Sequence, residues 1–307
     1  MAKNNDVVMS VEGLSKVFKS GILNPEYTVA AKDISFDIEK GKIISLIGES
    51  GSGKTTVGKL ILKLINPSEG KIIYKGQDIA EITDKEETRQ YYRRVQGIFQ
   101  DPFATFNPLY RVDRVFDMIF DSYDLGYEDK DKAIEEALYD VNLNPNRTLG
   151  KFPHQLSGGQ LQRLLIARAL LMDVDVLIAD ELISMLDAST RIGVLNLLVE
   201  SCKKHGMAVI FITHDLNLGY YISDKSLIMY KGRLVERGDT KKIYENATHP
   251  YTQMLFEAVP EIGERWDPDD EFLPEEIVHD VEEFYKNNQG KGFVEVEEDH
   301  SVLFSDK

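Results

Sequence analysis

The 307-residue sequence has a single cysteine, Cys202. One thiol builds no internal disulfide framework, and it excludes a cluster held by four thiolates of this chain alone. No stretch approaches the ~18 to 20 uninterrupted apolar residues that span a bilayer. The first residues, Met1-Ala-Lys-Asn-Asn-Asp6, hold no apolar signal core, so a cytosolic chain is expected. An excess of positive charge is missing too. The net charge is −16, whereas a nucleic-acid binder shows a basic face or a pI above ~9.

Hydrophobic residues at 42% and charged residues at 29% suit one large α/β domain with an appendage, or two modest domains. The acid is unevenly spread. Glu257 to Lys307 holds 17 acidic and 4 basic residues, a charge of −13, which leaves the preceding part near −3. A nearly neutral body thus precedes a strongly acidic tail.

Val7 to Phe18 and Tyr27 to Ile38 read as strands joined by a loop with Gly21, Asn24 and Pro25. Lys42 to Ile47 is a continuous apolar run, as in a buried strand of a mostly parallel sheet. Lys54 to Leu64 repeats apolar residues at helical spacing and stops at Asn66-Pro67. Lys71 to Tyr74 is a further strand, and Asp101 to about Leu171 is mainly helical. Val174 to Asp180 and Ala208 to Thr213 complete the buried strands.

Between the strand ending at Ile47 and the helix starting at Lys54 stands Gly48-Glu49-Ser50-Gly51-Ser52-Gly53-Lys54-Thr55-Thr56, a G-x-x-x-x-G-K-[ST] phosphate loop. Its glycines let backbone amides converge on phosphate oxygens, and the helix adds its positive end. Lys54 reaches the β- and γ-phosphates in such loops, and the Thr55 hydroxyl binds Mg²⁺. The strand Val176-Leu-Ile-Ala-Asp180-Glu181 ends in two carboxylates, where α/β ligand sites form. Asp180 suits Mg²⁺, and Glu181 suits the attacking water. His214 follows the strand Val209 to Thr213 in the manner of a strand-end catalytic residue. Leu156-Ser157-Gly158-Gly159-Gln160 opens a helix with apolar positions Leu161, Leu164, Leu165 and Ala169. A hydroxyl and bare amides there make an anion site.

With these residues in this order, the chain resembles the ATP-binding cassette (ABC) transporter ATPases, and in detail the oligopeptide/dipeptide importer subunits. The resemblance runs from about Met9 to Pro260. It also rests on Gln100 to Pro108, Phe152 to Arg163, Ser184-Met-Leu-Asp187 and Ile212-Thr-His214-Asp215. His249-Pro-Tyr-Thr-Gln-Met-Leu255, ending at Ala258-Val-Pro260, marks the peptide-importer branch. The fold this implies is α/β, a P-loop NTPase with a mostly parallel core sheet, an N-terminal antiparallel β subdomain, an inserted helical subdomain and a C-terminal extension. The expected cassette runs from 7 to 240, with the helical subdomain at about 101–171, and the acidic extension from 241 to 307.

The resemblance implies ATP and Mg²⁺ as cofactors and ATP hydrolysis coupled to solute uptake. Phe18 is expected to stack on adenine, Gln100 to sense the γ-phosphate and Mg²⁺, and His214 to contact the γ-phosphate and the attacking water. Ser157, Gly158, Gly159 and Gln160 are expected to face nucleotide bound by an opposite subunit, with Asp187 at that contact. The implied partners are a second ABC ATPase (a heterodimer, with a homodimer as the alternative), two permeases and, indirectly, an extracytoplasmic solute-binding protein. The location implied is the cytoplasmic membrane face. Phe103, Phe106, Pro108 and Leu109 are expected to offer an apolar contact to the permease.

The chain departs from the family where Leu182-Ile183 replaces Pro-Thr, and where Leu161 stands at a common arginine position. These changes are apolar and spare the phosphate ligands, so hydrolysis is expected to survive. Many peptide-importer ATPases end in a cysteine-rich iron–sulfur segment. No such cluster is expected here: its module is either lost or replaced by the acidic segment Pro268 to Glu283, part of which reads equally as a solvated tail. Two other readings are a nucleotide-binding subunit that supports an active partner, and a soluble ABC ATPase outside transport. The second usually carries paired cassettes, coiled coils or zinc modules, none of which the sequence shows.

Overall fold

The structure is a computed structural model and describes residues 6–21, 25–258 and 274–305. Asn24 of the expected loop and residues 268–273 of the acidic segment lie outside them, as does the Val259-Pro260 end of the importer motif. Two long strands open the chain, β1 (Val7–Ser20) and β2 (Glu26–Glu39), paired antiparallel from Val7 opposite Glu39 to Ser20 opposite Glu26. Then follow β3 (Ile43–Ile47), α1 (Lys54–Ile61), β4 (Glu69–Tyr74), β5 (Gln77–Asp78), α2 (Lys85–Arg94) and β6 (Val95–Ile98). The helical block holds α3 (Pro102–Thr105), α4 (Arg114–Ser122), α5 (Lys130–Asp140), α6 (Pro145–Thr148) and α7 (Gly158–Leu171). After it come β7 (Val176–Asp180), α8 (Ala188–His205), β8 (Ala208–Thr213), α9 (Leu216–Ile222), β9 (Lys225–Tyr230) and β10 (Arg233–Asp239). The last elements are α10 (Thr240–Glu245), α11 (Pro250–Glu257), α12 (Pro274–Asn287), β11 (Phe293–Glu297) and β12 (His300–Leu303).

The strands form two sheets. One is four-stranded in the order β2-β1-β4-β5, and the other eight-stranded in the order β11-β12-β10-β9-β3-β8-β7-β6. Its half from β9 to β6 is parallel, and β10, β12 and β11 continue it antiparallel. The central strands β3, β7 and β8 are buried along their whole length and mostly apolar, since such a sheet has no wet side. Alternate residues divide between two cores. Leu177, Ala179, Val209 and Phe211 meet α7 and α8 on one face. Val176, Ile178, Ile210 and Ile212 meet α1 and the small antiparallel sheet on the other. A third core gathers Ile47, Ile228 and Val235 with Leu216, Ile243, Tyr251, Met254 and Val281, so α11 and α12 pack onto the main sheet.

The departures from the family pattern find their places here. Leu161, Leu182 and Ile183 all belong to the core against α7 and α8, as do Leu164, Leu165 and Ala169. Phe106 differs from its expected role. It is buried in the helical block, because α3 ends there and turns its side chain inward, while Phe103, Leu109 and Tyr110 remain exposed. Among the described residues no helix is long and apolar enough to cross a membrane.

Candidate functional site

The turn between β3 and α1 shapes the site. A Cβ on Gly48 would run into the Met229 carbonyl, so only glycine lets the chain pass this close to β9. The loop is closed by Ser52 N–H donating to the Glu49 carbonyl (3.2 Å), and Gly232 N–H fixes the Ser52 carbonyl from outside (2.9 Å). Lys54 folds back across it. Its ammonium donates to the carbonyls of Gly48 and Glu49, both at 2.7 Å. Desolvation lowers the Lys54 pKa, and the carboxylates of Glu181, Asp180 and Glu49 oppose that.

Parallel pairing sets the ends of β3, β7 and β8 side by side: Ile47 is opposite Thr213, and Asp180 opposite Ile212. Carboxylates and imidazole at those ends therefore converge on the loop. A cavity of about 790 Å³ is lined by Gly48, Glu49, Ser50, Gly51, Gly53, Lys54, Thr55 and Thr56, and by Gln100, Asp180, Glu181 and His214. Glu181 takes a left-handed backbone (φ 52°), uncommon for a residue with a side chain. Its N–H donates to the Ile212 carbonyl at 3.0 Å, and its Oε1 lies 2.8 Å from His214 Nδ1.

Asp180 is buried, and its Oδ1 has no hydrogen-bond partner. Desolvation raises its pKa against the Thr55 hydroxyl and the Lys54 charge. An orphaned, buried carboxylate oxygen beside a threonine hydroxyl fits a hard cation, because such an ion binds oxygen ligands and would satisfy the unpaired one. Among the described residues no group of three His, Cys, Asp or Glu could hold a metal unaided. That suits Mg²⁺, which binds few carboxylates and keeps phosphate and water ligands.

The remaining expected residues lie elsewhere. Ser157 is exposed at the start of α7, where it forms a capping box: Gln160 N–H donates to the Ser157 hydroxyl and Ser157 N–H to Gln160 Oε1 (2.9 Å). A Cβ on Gly159 would strike Thr190 of α8, and α8 is itself capped by Asp187, which accepts from Thr190 N–H and the Ser189 hydroxyl. The Ser189 hydroxyl bond, with those from Thr190, holds the exposed Asp187 carboxyl down at about 2. Ser157 and Asp187 are exposed, Gly158 and Gln160 are half-buried and Gly159 is buried against Thr190, and none of the five lines the cavity. Phe18 also stands outside. It is half exposed, with the Lys16 ammonium 5.2 Å from its ring centre, but its strand neighbour Thr28 lines the cavity with Val29 and Ala30.

Two contacts escape the sequence reading. Leu255 of α11 lines the cavity, and the buried Tyr251 hydroxyl accepts the Glu49 N–H at 3.0 Å. Both belong to the His249-to-Leu255 motif, but nothing in its spacing points at a loop about 200 residues earlier.

A family model described as ABC transporter matches residues 31–184, and one described as oligopeptide/dipeptide transporter, C-terminal region, matches residues 235–295. The oligopeptide transport ATP-binding protein AppF of Bacillus subtilis is 35% identical over 264 residues, covering 84% of this chain and 80% of the relative. OppF of the same organism is 40% identical over 248 residues, covering 80% and 81%. AmiF of Streptococcus pneumoniae, also an oligopeptide transport ATP-binding protein, is 44% identical over 234 residues, covering 76% of each. A solved dimer of the ATP-binding cassette MJ0796 in a post-hydrolysis state with ADP and Pi superposes with a TM-score of 0.66 at 27% identity, covering 76% of this chain and 98% of that one. CbiO1 of Clostridium perfringens, part of the ABC transporter complex cbiONQ, gives 0.68 at 26% identity, covering 79% and 92%.

Proposed function

The chain belongs to the ABC transporter ATPase family, in its oligopeptide/dipeptide importer branch, and from that premise we propose how its residues divide the work. It is the ATP-hydrolysing subunit of a membrane importer, and the solutes are peptides or similar small molecules such as oligosaccharides. The cassette spans 7–240, with its helical subdomain at about 101–171, and the extension follows from 241.

The observation that carries this reading is the division of the site. The phosphate loop, Gln100, Asp180, Glu181 and His214 share one cavity, while the helix start Ser157-Gly158-Gly159 and Asp187 lie outside it, with Ser157 and Asp187 exposed. One chain then holds two halves of different sites. The loop amides and Lys54 bind the phosphates of ATP, and Phe18 with the Thr28–Ala30 strand flanks the base. Thr55, Asp180 and Gln100 would hold magnesium, which would supply charge neutralisation for the phosphates when bound. Glu181 accepts a proton from the attacking water, and His214, 2.8 Å from it, fixes the carboxylate and faces the γ-phosphate. The partner cassette offers its own serine and glycines to that phosphate. ATP therefore binds the closed dimer better than the open one, and hydrolysis removes the bridging charge.

The pair is a heterodimer of two cassettes at the cytoplasmic membrane face, attached through two permeases that receive solute from an extracytoplasmic binding protein. Phe103, Leu109 and Tyr110 form the exposed apolar contact to the permeases. Leu182 and Ile183 do not argue for a supporting, inactive subunit, because both are buried in the core behind the strand rather than in the cavity.

Purification of the tagged protein from native membranes, gently solubilised with ATP present, tests this assignment. Co-purification of integral-membrane permeases with a second cassette protein is expected. Recovery of soluble partners, ribosomes or DNA alone would overturn it.

A further inference from the structure

We propose that Tyr251, on α11, is a positioning residue for nucleotide binding, whose hydroxyl holds the peptide unit between Gly48 and Glu49 and so sets the resting place of Lys54. The inference rests on the reading of the loop as an ATP site and adds a residue that this site requires from the C-terminal extension.

One peptide unit is gripped at both ends. Its N–H, on Glu49, donates to the Tyr251 hydroxyl at 3.0 Å, and its carbonyl, on Gly48, accepts the Lys54 ammonium at 2.7 Å. A peptide next to glycine rotates easily, because no Cβ restricts the bonds on that side. Rotation here would carry the Gly48 carbonyl away from Lys54, and it costs both hydrogen bonds at once. The grip belongs to the loop's first turn, ahead of the amides that face phosphate.

Tyr251 is itself held on all sides. Its side chain is fully buried, its ring lies 4.3 Å from that of Tyr230, and its N–H donates to Nδ1 of His249 at 3.2 Å. The backbone around His249 is pinned by one buried carboxylate. Glu236 of β10 accepts Thr248 N–H at 2.9 Å and His249 N–H at 3.1 Å. The same carboxylate lies 2.7 Å from Nε2 of His300, on β12. A continuous chain of buried polar contacts thus runs from the C-terminal hairpin through Glu236 and His249 to Tyr251 and the phosphate loop. No other described contact of the extension reaches the loop's backbone by a hydrogen bond.

The test compares the full-length protein with Tyr251→Phe and Tyr285→Phe, and reads the Kd for MgATP and MgADP together with KM and kcat in the assembled transporter. Tyr285 hydrogen-bonds His249 Nε2 (3.2 Å), so its variant loses a hydroxyl from the same cluster without touching the loop. Tyr251→Phe is expected to weaken both nucleotides roughly three- to ten-fold, the size of one net hydrogen bond, and to raise KM while kcat stays within about two-fold. Tyr285→Phe is expected to leave both constants unchanged. Wild-type affinity in Tyr251→Phe, or an equal loss in Tyr285→Phe, overturns the inference and leaves the ATP-site reading standing. Failure of the wild type to bind either nucleotide overturns both. Should Tyr251→Phe not fold, 3-fluorotyrosine at 251, a weaker acceptor of nearly the same shape, is expected to lower affinity in the same direction, and an unchanged Kd there overturns the inference.

Discussion

Nδ1 of His214 lies 2.8 Å from Oε1 of Glu181, across the ends of two adjacent parallel strands. The pairing fixes a carboxylate that would otherwise swing, on a residue that lines the cavity. An oriented acceptor beside the phosphate loop is what hydrolysis by an activated water needs.

Glu181→Gln keeps the shape of the side chain and removes its basicity. Turnover in the assembled transporter should fall about 10²- to 10⁴-fold, the range of a lost general base, while ATP still binds. An ATP-bound dimer should then persist on size-exclusion chromatography. Near-normal turnover would remove Glu181 from this role.

Lys54→Ala takes away the ammonium that donates to the Gly48 and Glu49 carbonyls, the group proposed to bridge loop and phosphates. One lost charge-assisted hydrogen bond of about 1.5–3 kcal/mol predicts MgATP binding weaker by roughly 10- to 100-fold. Calorimetric titration of the full-length chain measures it, and an unchanged Kd would count against the phosphate-loop assignment.

Ser157→Arg separates the two half-sites. The residue is exposed and lies outside the cavity, so ATP affinity of the lone chain should match the wild type. Turnover of the assembled pair should drop by an order of magnitude or more, because the bulky cation occupies the edge proposed to meet the partner's nucleotide. Loss of affinity in the lone chain would place Ser157 in its own subunit's site instead.

Acid should loosen the extension through His249. Desolvation pushes its pKa down to about 4, with Glu236 opposing, while the unfolded imidazole keeps its ordinary value near 6.5. Its Nδ1 already accepts the Tyr251 N–H, and Glu236 and Tyr285 are its other polar neighbours. Protonation therefore favours the unfolded chain. The stability is intact above pH 6.5 and is lost as pH falls toward 4, by on the order of 3 kcal/mol. His249→Asn retains a cap without titrating, so melting temperatures of the two proteins should diverge over that window. Parallel pH profiles would disprove the role.

Local chemistry made much of this legible. The glycine spacing before Lys54 defines a loop within nine residues, and the apolar run to Asp180 defines a buried strand with acids at its end. Each signal needs only its own neighbourhood. Asp187 and Gln160 illustrate the opposite case, since their side chains also cap helices within the chain. Phe106 was legible as apolar but not as inward-facing, which only packing in the helical block decides. The β9–β10 hairpin turns through Lys231 and Gly232, both at positive φ, where Lys-Gly is a weaker signal than Asn-Gly. Tyr251 meets the loop across 202 positions of sequence, and no local pattern encodes such a pairing.

Glu236 also imposes an order of events on synthesis. Its carboxylate ends up without contact to solvent, yet the imidazole that faces it is 64 residues further along the chain. At translation speeds of ~5 to 20 residues per second, β10 waits on the order of 3 to 13 s for that partner to emerge. During that interval the nascent sheet must keep its edge wet around the charge. Burial of the Glu236 carboxylate is therefore a late step, timed by the arrival of His300 rather than by the folding of the cassette that surrounds the phosphate loop.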